Sequence, residues 1–482
     1  MAISVSTTEF HVLDLETRMP FHFGNVEVTE IPKVFLQIEA DINGTTQQGI
    51  AMGGLLPGWF YKDPSMSLEN GLRNMIEAFR SAADSARTLN PEPTAFAFWK
   101  ALYAKQREWA TDTDHPPLLW TYGVSLVEQA LIDAVCCHRN ESFGEAVRKN
   151  TLGIDLGTIY DDLAVYEPAD LLPEEPRRST AIRHTVGHGD PLTTADVTPS
   201  EQLDDGLPQT LAEYVREDGV TCFKIKLSAD RAFDGDRLSR IVDLLDELDV
   251  NEYRCTVDAN EGYDSAREFK RHWETHTADP NLSSLFDRLA YVEQPLARDD
   301  AFTPETKRVL TEWNDAPPII IDESDRYIDS AGTALEHGYA GTSHKNCKGV
   351  FKGIANTCLI AHHNRIDMDR QYVLSAEDLT TVGPVELLQD LAVTATIGAK
   401  HVERNGHHYF RGLDAFPQTI QETIIEAHGD LYRRHEDGFA MLDINSGEVD
   451  LTSIVDAPFG IAAECDTNQF MPLEIWLEDL EE

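Results

Sequence analysis

Between residues 181 and 406 short apolar runs recur, each followed by a polar turn and then by apolar residues repeating at helical spacing. The runs are AIRHTVG, TCFKIKL, YRCTVDAN, LAYVEQP, PPIIIDES, TSHKNCKG, QYVLSAED and AKHVERNG. Strands alternating with helices predict parallel βαβ units, and eight such units predict a closed α/β barrel of the TIM type. The linker between the sixth and seventh runs reads as short and polar, and the eighth run is itself short.

The pattern differs before residue 155. Strand-like EFHVLDL and KVFLQIEADI are followed by helical SLENGLRNMIEAFRSAADSAR and VSLVEQALIDAVCCHRN. This predicts an N-terminal α+β domain over 1–155. PADLLPEEPRRS, 168–179, is rich in Pro and charge and reads as a linker, leaving 180–415 for the barrel. The acidic segment 416–482 is too short for its own core and is expected to pack back on the first domain.

With 482 residues, 41% of them hydrophobic, the chain can fill a sizeable core. Its first twenty residues lack a basic start and an apolar h-region, and no apolar run reaches the roughly 18 residues of a membrane span, so a soluble, cytoplasmic protein is expected. Seven cysteines form no CxxC pair, and Cys222 and Cys255 lie in apolar runs, which predicts reduced thiols and no zinc site. The formal charge of -44 argues against nucleic acid and anionic membranes as partners and suits a surface adapted to high salt.

Lysine is scarce in this acidic chain, 13 residues in all, and five of them fall in two short segments: Lys224 and Lys226, then Lys345, Lys348 and Lys352. Six central runs end in a charged residue, Lys226, Asp258, Glu293, Asp322, Lys345 and Glu377, spaced as single βα units. In such a barrel the C-terminal strand ends face a common mouth, where chemistry is carried out. Asp258, Glu293 and Asp322 would end neighbouring strands. Three bare carboxylates together would repel, and oxygen-only ligands favour a hard cation such as Mg²⁺. The plain alternative is that the acids cap helices and the lysines only pair with them. Lys226 and Lys345, on the second and sixth strands, would flank the metal from opposite sides. Lys224 and Lys226 point to one face, where each is expected to depress the other's pKa and prepare a base. A metal facing a substrate carboxylate, with a base on either side, suits removal of the proton α to that carboxylate.

FKIK at 223–226, VDAN at 257–260, VEQP at 292–295 and IDES at 321–324 resemble the signature of the mandelate racemase and muconate lactonizing branch of the enolase superfamily. The resemblance implies a modified TIM barrel with an N-terminal capping domain completed by the C-terminal segment. It also implies Mg²⁺ on Asp258, Glu293 and Asp322, Lys226 as base on one face, Lys345 as acid or base on the other, and Lys224 against the substrate carboxylate. A lysine after the sixth strand is similar to the muconate lactonizing type, which includes cycloisomerases, epimerases and racemases; sugar-acid dehydratase is the nearest alternative. Val350 replaces the family's second Gly, so Lys348 competes with Lys345; Glu323 competes with Asp322; and Glu377, beside Asp378, is a substrate-binding candidate of open role.

Capping loops choose the substrate in such proteins, which points to RMPFHFG and GGLLPGWFYKDP and within them to Arg18, His22, Trp59 and Tyr61. His188, His407 and His408 lie near other strand ends. The expected partner is a small carboxylic acid, and the expected assembly a homo-oligomer. The rivals are a Schiff-base aldolase using Lys226 without metal and a binding protein that holds the ligand without turnover.

Overall fold

The computed structural model describes residues 2–23, 26–63 and 65–480. Its N-terminal part holds β1 (Ile3–Leu13), β2 (Glu16–Phe23), β3 (Val26–Glu30), β4 (Lys33–Ile42) and β5 (Thr45–Gly54). β1, β4 and β5 form an antiparallel sheet, while β2 and β3 make a separate hairpin. The expected loop RMPFHFG is therefore largely strand, with Gly24 outside the described residues.

Helix Pro117–Arg139 is buried from Leu118 through Cys136. It is apolar on nearly every side because it lies between the sheet, a second long helix (Leu68–Thr88) and the barrel. Gly49 on β5 permits this approach: a Cβ there would stand 2.0 Å from the Ala130 carbonyl.

All eight predicted runs contain strands: β6 (Ser179–Val186), β7 (Cys222–Lys226), β8 (Arg254–Asp258), β9 (Leu289–Glu293), β10 (Ile319–Ile321), β11 (Gly341–His344), β12 (Val373–Ala376) and β13 (His401–Arg404). They are parallel and ordered as in the sequence, and β13 returns to pair with β6. β12 and β13 lie side by side without a hydrogen-bonded ladder among the described residues. The fold is α/β, a curled parallel barrel with an antiparallel capping domain.

Within the barrel, one expectation fails. The stretch between the sixth and seventh runs is the 17-residue helix Val350–Ile366, not a short polar linker. Its first eleven residues, Lys352, Asn356 and Thr357 included, are buried, so polar residues that would mark a surface loop serve internal contacts instead. Glu128 of the capping domain accepts the Phe351 N–H at 2.6 Å and so satisfies a free donor at this helix's start.

After the barrel come the small hairpin of β14 (Tyr432–Arg434) and β15 (Ala440–Leu442), then β16 (Glu448–Asp450) and β17 (Met471–Pro472). The C-terminal segment divides its contacts. β16 pairs with barrel strand β6, and β17 pairs with β1 of the cap. No helix is long and apolar enough to cross a membrane among the described residues.

Candidate active site

Alternation along β7 sends Phe223 and Ile225 into the apolar layer under the helices and turns Lys224 and Lys226 into the barrel. The ladder sets Lys226 beside Asp258, and Asp258 beside Glu293. Three charged strand ends thus stand at one level of the mouth because register leaves them no other place.

There a cavity of about 40 Å³ is lined below by Lys224, Lys226, Asp258, Asp322, Lys345 and Glu403. Phe21, Leu56 and Trp59 of the cap, with Leu379 after β12, form an apolar roof, and Asn260, Asp378, Thr380 and Asn405 stand at its sides. Lys345 Nζ lies 5.9 Å from the centre of the Trp59 ring.

Lys224 is the hub of the floor. Its ammonium donates to Glu293 at 2.8 Å, Glu377 at 3.0 Å and Glu403 at 2.8 Å, with Asp258 at 3.1 Å. Burial works against its charge, but these carboxylates lift it well above the usual lysine value. The expectation that Lys226 depresses Lys224 is therefore wrong: four anions close to the ammonium outweigh one like charge. Its three hydrogens are all committed to glutamates. Lys226 donates to Asp258 at 2.6 Å.

Glu377 ties the floor to the barrel interior. It accepts from Lys224, from Lys345 at 2.5 Å and from Arg183 at 3.1 Å. Despite burial, these cations hold its carboxyl well below the ordinary range. Glu293 moves the other way: burial first, then the charges of Asp258 and Glu377, push it well above that range.

Glu293, Asp322 and Glu377 each present an oxygen within 4.8 Å of the others, and all three are buried. Glu293 Oε2 has no hydrogen-bond partner. An all-carboxylate donor set with an orphaned buried acceptor suits a hard divalent cation such as Mg²⁺, so the residues fit that ion. The trio combines two of the expected ligands with Glu377. Asp258 adjoins it through Glu293 on the ladder, its Oδ2 held by Lys226 and its Oδ1 accepting the Asn260 N–H at 2.8 Å.

Lys345 and Lys348 have different surroundings. Lys345 lines the cavity, 3.2 Å from Asp322. Lys348 lies behind it, bonded to Asp322 Oδ1 at 3.0 Å and Ser343 at 2.8 Å and leading on to Asp325 and Lys352. Glu323 points to Asn260, and burial followed by the charge of Asp322 pushes it up to about 7.

Of the capping candidates, Trp59 reaches the cavity. Arg18 is committed elsewhere, in a two-pronged pair with Asp205 at 2.7 and 2.8 Å. Tyr61 turns into the cap, bonded to His115 and Asn74. The His22 side chain lies outside the described residues. His407 bonds to His184 at 3.1 Å and His408 to Tyr214 at 2.8 Å, whereas His188 Nε2 is buried without a partner. Sequence reasoning missed Glu403, Asn260, Asn405 and Arg183. Two had a readable signal: Glu403, an acid at the end of the eighth run, and Asn260, the last residue of VDAN.

No protein-family model and no curated protein matches the chain. Solved structures do match across nearly its whole length. A muconate lactonizing enzyme from Pseudomonas fluorescens, complexed with muconolactone, is 15% identical with a TM-score of 0.59, covering 97% of this chain and 98% of that one. A mandelate racemase/muconate lactonizing protein from Herpetosiphon aurantiacus has the same identity and score over 96% and 99%. An enolase from Bradyrhizobium, complexed with magnesium and mandelic acid, is 13% identical with a TM-score of 0.59 over 98% and 99%. The chain has the fold of these proteins.

Proposed function

We propose that the protein is a Mg²⁺-dependent enzyme that removes the proton α to the carboxylate of a small organic acid, acting as a racemase, epimerase or cycloisomerase. The observation that carries this reading is the placement of Lys226 and Lys345. Lys226 ends β7 and Lys345 directly follows β11, strands four places apart among eight, and both line the same cavity. Two amines facing one small space from opposite walls can take a proton from one face of a carbon and return it to the other. Asp258, Glu293 and Asp322, with Glu377 beside them, would hold the cation. Bound there, Mg²⁺ would supply positive charge to offset that of the substrate carboxylate and of the carbon acid's developing anion.

The remaining residues have roles that follow from their contacts. Asp258 orients the Lys226 amine, and Asp322 with Glu377 orients that of Lys345. Lys224, its hydrogens committed, keeps the carboxylates in register rather than contacting the substrate. Phe21, Leu56, Trp59 and Leu379 exclude water from the carbon that carries the transient charge.

The test is deuterium uptake at Cα in D₂O with Mg²⁺ and KCl, over pooled N-acylamino acids, dipeptides, hydroxy acids and sugar acids. Uptake that requires Mg²⁺, vanishes in Asp258→Asn and is lost for one enantiomer in Lys226→Ala supports the reading. Metal-independent turnover trapped by borohydride on Lys226 would replace it with Schiff-base chemistry.

A further inference from the structure

One guanidinium joins the barrel to the roof of the cavity. Arg298, in the loop after β9, donates Nε to Glu261 Oε1 at 2.9 Å and Nη2 to Glu261 Oε2 at 2.8 Å. Its backbone N–H reaches the same carboxylate at 2.8 Å. Nη2 also donates to the Trp59 carbonyl and Nη1 to the Phe60 carbonyl, each at 3.1 Å. Lys62 adds an ion pair to Glu261 at 3.1 Å, and Arg326, in the loop after β10, grips the Arg298 carbonyl at 3.2 Å.

Trp59 and Phe60 end a single helical turn, Pro57–Phe60, whose last carbonyls have no partner within so short a helix. A guanidinium with a fixed fork of donors supplies both partners at once, which a lysine could not do in the same geometry. Glu261 reaches the fork by way of an unusual main chain: Asn260 (φ 41°) and Glu261 (φ 68°) are consecutive left-handed residues without being glycine. Such conformations persist where the surroundings hold them and cluster at functional sites. Here they turn Asn260 into the cavity and Glu261 toward Arg298.

We propose that Arg298 and Glu261 are positioning residues that form a latch: the pair holds segment 57–62 closed on the barrel and fixes the Trp59 ring over Lys345. The latch acts on roof and access, not on the reacting atoms. It stands apart from the reaction proposed above, and only its kinetic signature rests on that reading.

Amide hydrogen exchange and steady-state kinetics of Arg298→Ala, Arg298→Lys and Glu261→Gln test it in the full-length protein. In Arg298→Ala, amides of 58–62 should exchange about tenfold faster or more, while those of β4 and β5 keep their rates. KM should rise about tenfold with kcat falling less, because what is lost is closure over bound substrate. Arg298→Lys should recover part of the KM and little of the protection, and Glu261→Gln should shift both in the direction of Arg298→Ala. Unchanged exchange at 58–62, or equal loosening of β4 and β5, would overturn the latch. Should Arg298→Ala fail to fold, Glu261→Gln decides. If the wild-type protein exchanges no acid at all, the reaction proposal falls while amide exchange still judges the latch.

Discussion

The Lys224 ammonium donates to Glu293 at 2.8 Å, reaching past β8 to a strand two places along the barrel wall. Its other hydrogens go to Glu377 on β12's end and Glu403 on β13. One buried cation therefore cross-links strands that share no ladder with β7. Without it, several carboxylates would face one another in a medium that solvates charge poorly.

Replacing Lys224 by Met should therefore cost about 3–5 kcal/mol, the range for leaving buried charges unpaired. Urea unfolding checks this, and Mg²⁺ should return part of the loss by binding only the folded state. A loss well under 1 kcal/mol would mean that the glutamates simply take up protons.

Lys348 should prove to be a support for Asp322 rather than an acid or base. It holds Asp322 Oδ1 from behind while Lys345 lines the cavity. Lys348→Ala is expected to weaken Mn²⁺ binding, measured by electron paramagnetic resonance, by about 10- to 100-fold, the usual effect of losing a group behind a ligand. Lys345→Ala should abolish racemisation and the deuterium exchange of one enantiomer, the one whose α-hydrogen faces Lys345, while keeping Mn²⁺ affinity within a few-fold of wild type.

Two carboxyls on helix Pro117–Arg139 set a pH dependence far from the mouth. Burial pushes Glu128 up to about 8 and Asp133 up to about 7. A carboxyl that holds its proton more tightly folded than unfolded contributes stability at low pH and loses it as pH rises toward its folded value. For Glu128 the window opens near 4.5 and closes near 8. Glu128→Gln keeps an acceptor for Phe351 and cannot ionise. The variant should gain on wild type in urea midpoint steadily from pH 5 to pH 8; a constant difference would show Glu128 to be ionised throughout.

The formal charge of -44 makes a fourth measurement informative. Raising KCl from about 0.1 M to about 1 M shortens the screening length from about 10 Å to about 3 Å and should relieve repulsion between surface carboxylates. The thermal midpoint should rise across that range. A midpoint that falls would mean that surface ion pairs such as Arg178 with Asp456 stabilise more than repulsion costs.

The barrel was legible because strand alternation and register act locally. Once TCFKIKL is a strand, Lys224 and Lys226 must share a face and Asp258 must stand beside Lys226. Asp322 was legible for the same reason. Glu403 was harder to see, since one more acid in so acidic a chain attracts no notice. Arg18 misled because a charged residue beside an apolar loop resembles a binding group, and nothing local reveals Asp205, 187 positions away. The latch is equally nonlocal: Trp59, Glu261 and Arg298 belong to three segments whose meeting depends on the finished fold. Helix Val350–Ile366 was lost because its polar residues are buried against the cap and against Asp325.

β16 and β17 are made late, yet each completes a sheet begun much earlier: one pairs with β6, the first barrel strand, and the other with β1, the first strand of the cap. Phe470, just before β17, stacks on Phe35 of β4 at 4.3 Å, and Trp476, just after it, bonds to Asp14 at 2.9 Å. While the chain is being synthesised, β1 and β6 must wait with strand edges unpaired, the kind of surface that recruits neighbouring chains. Assembly of the two halves is thus timed by the ribosome: final closure must follow emergence of the last strands. The same dense negative charge that strains the folded surface would keep those waiting intermediates apart.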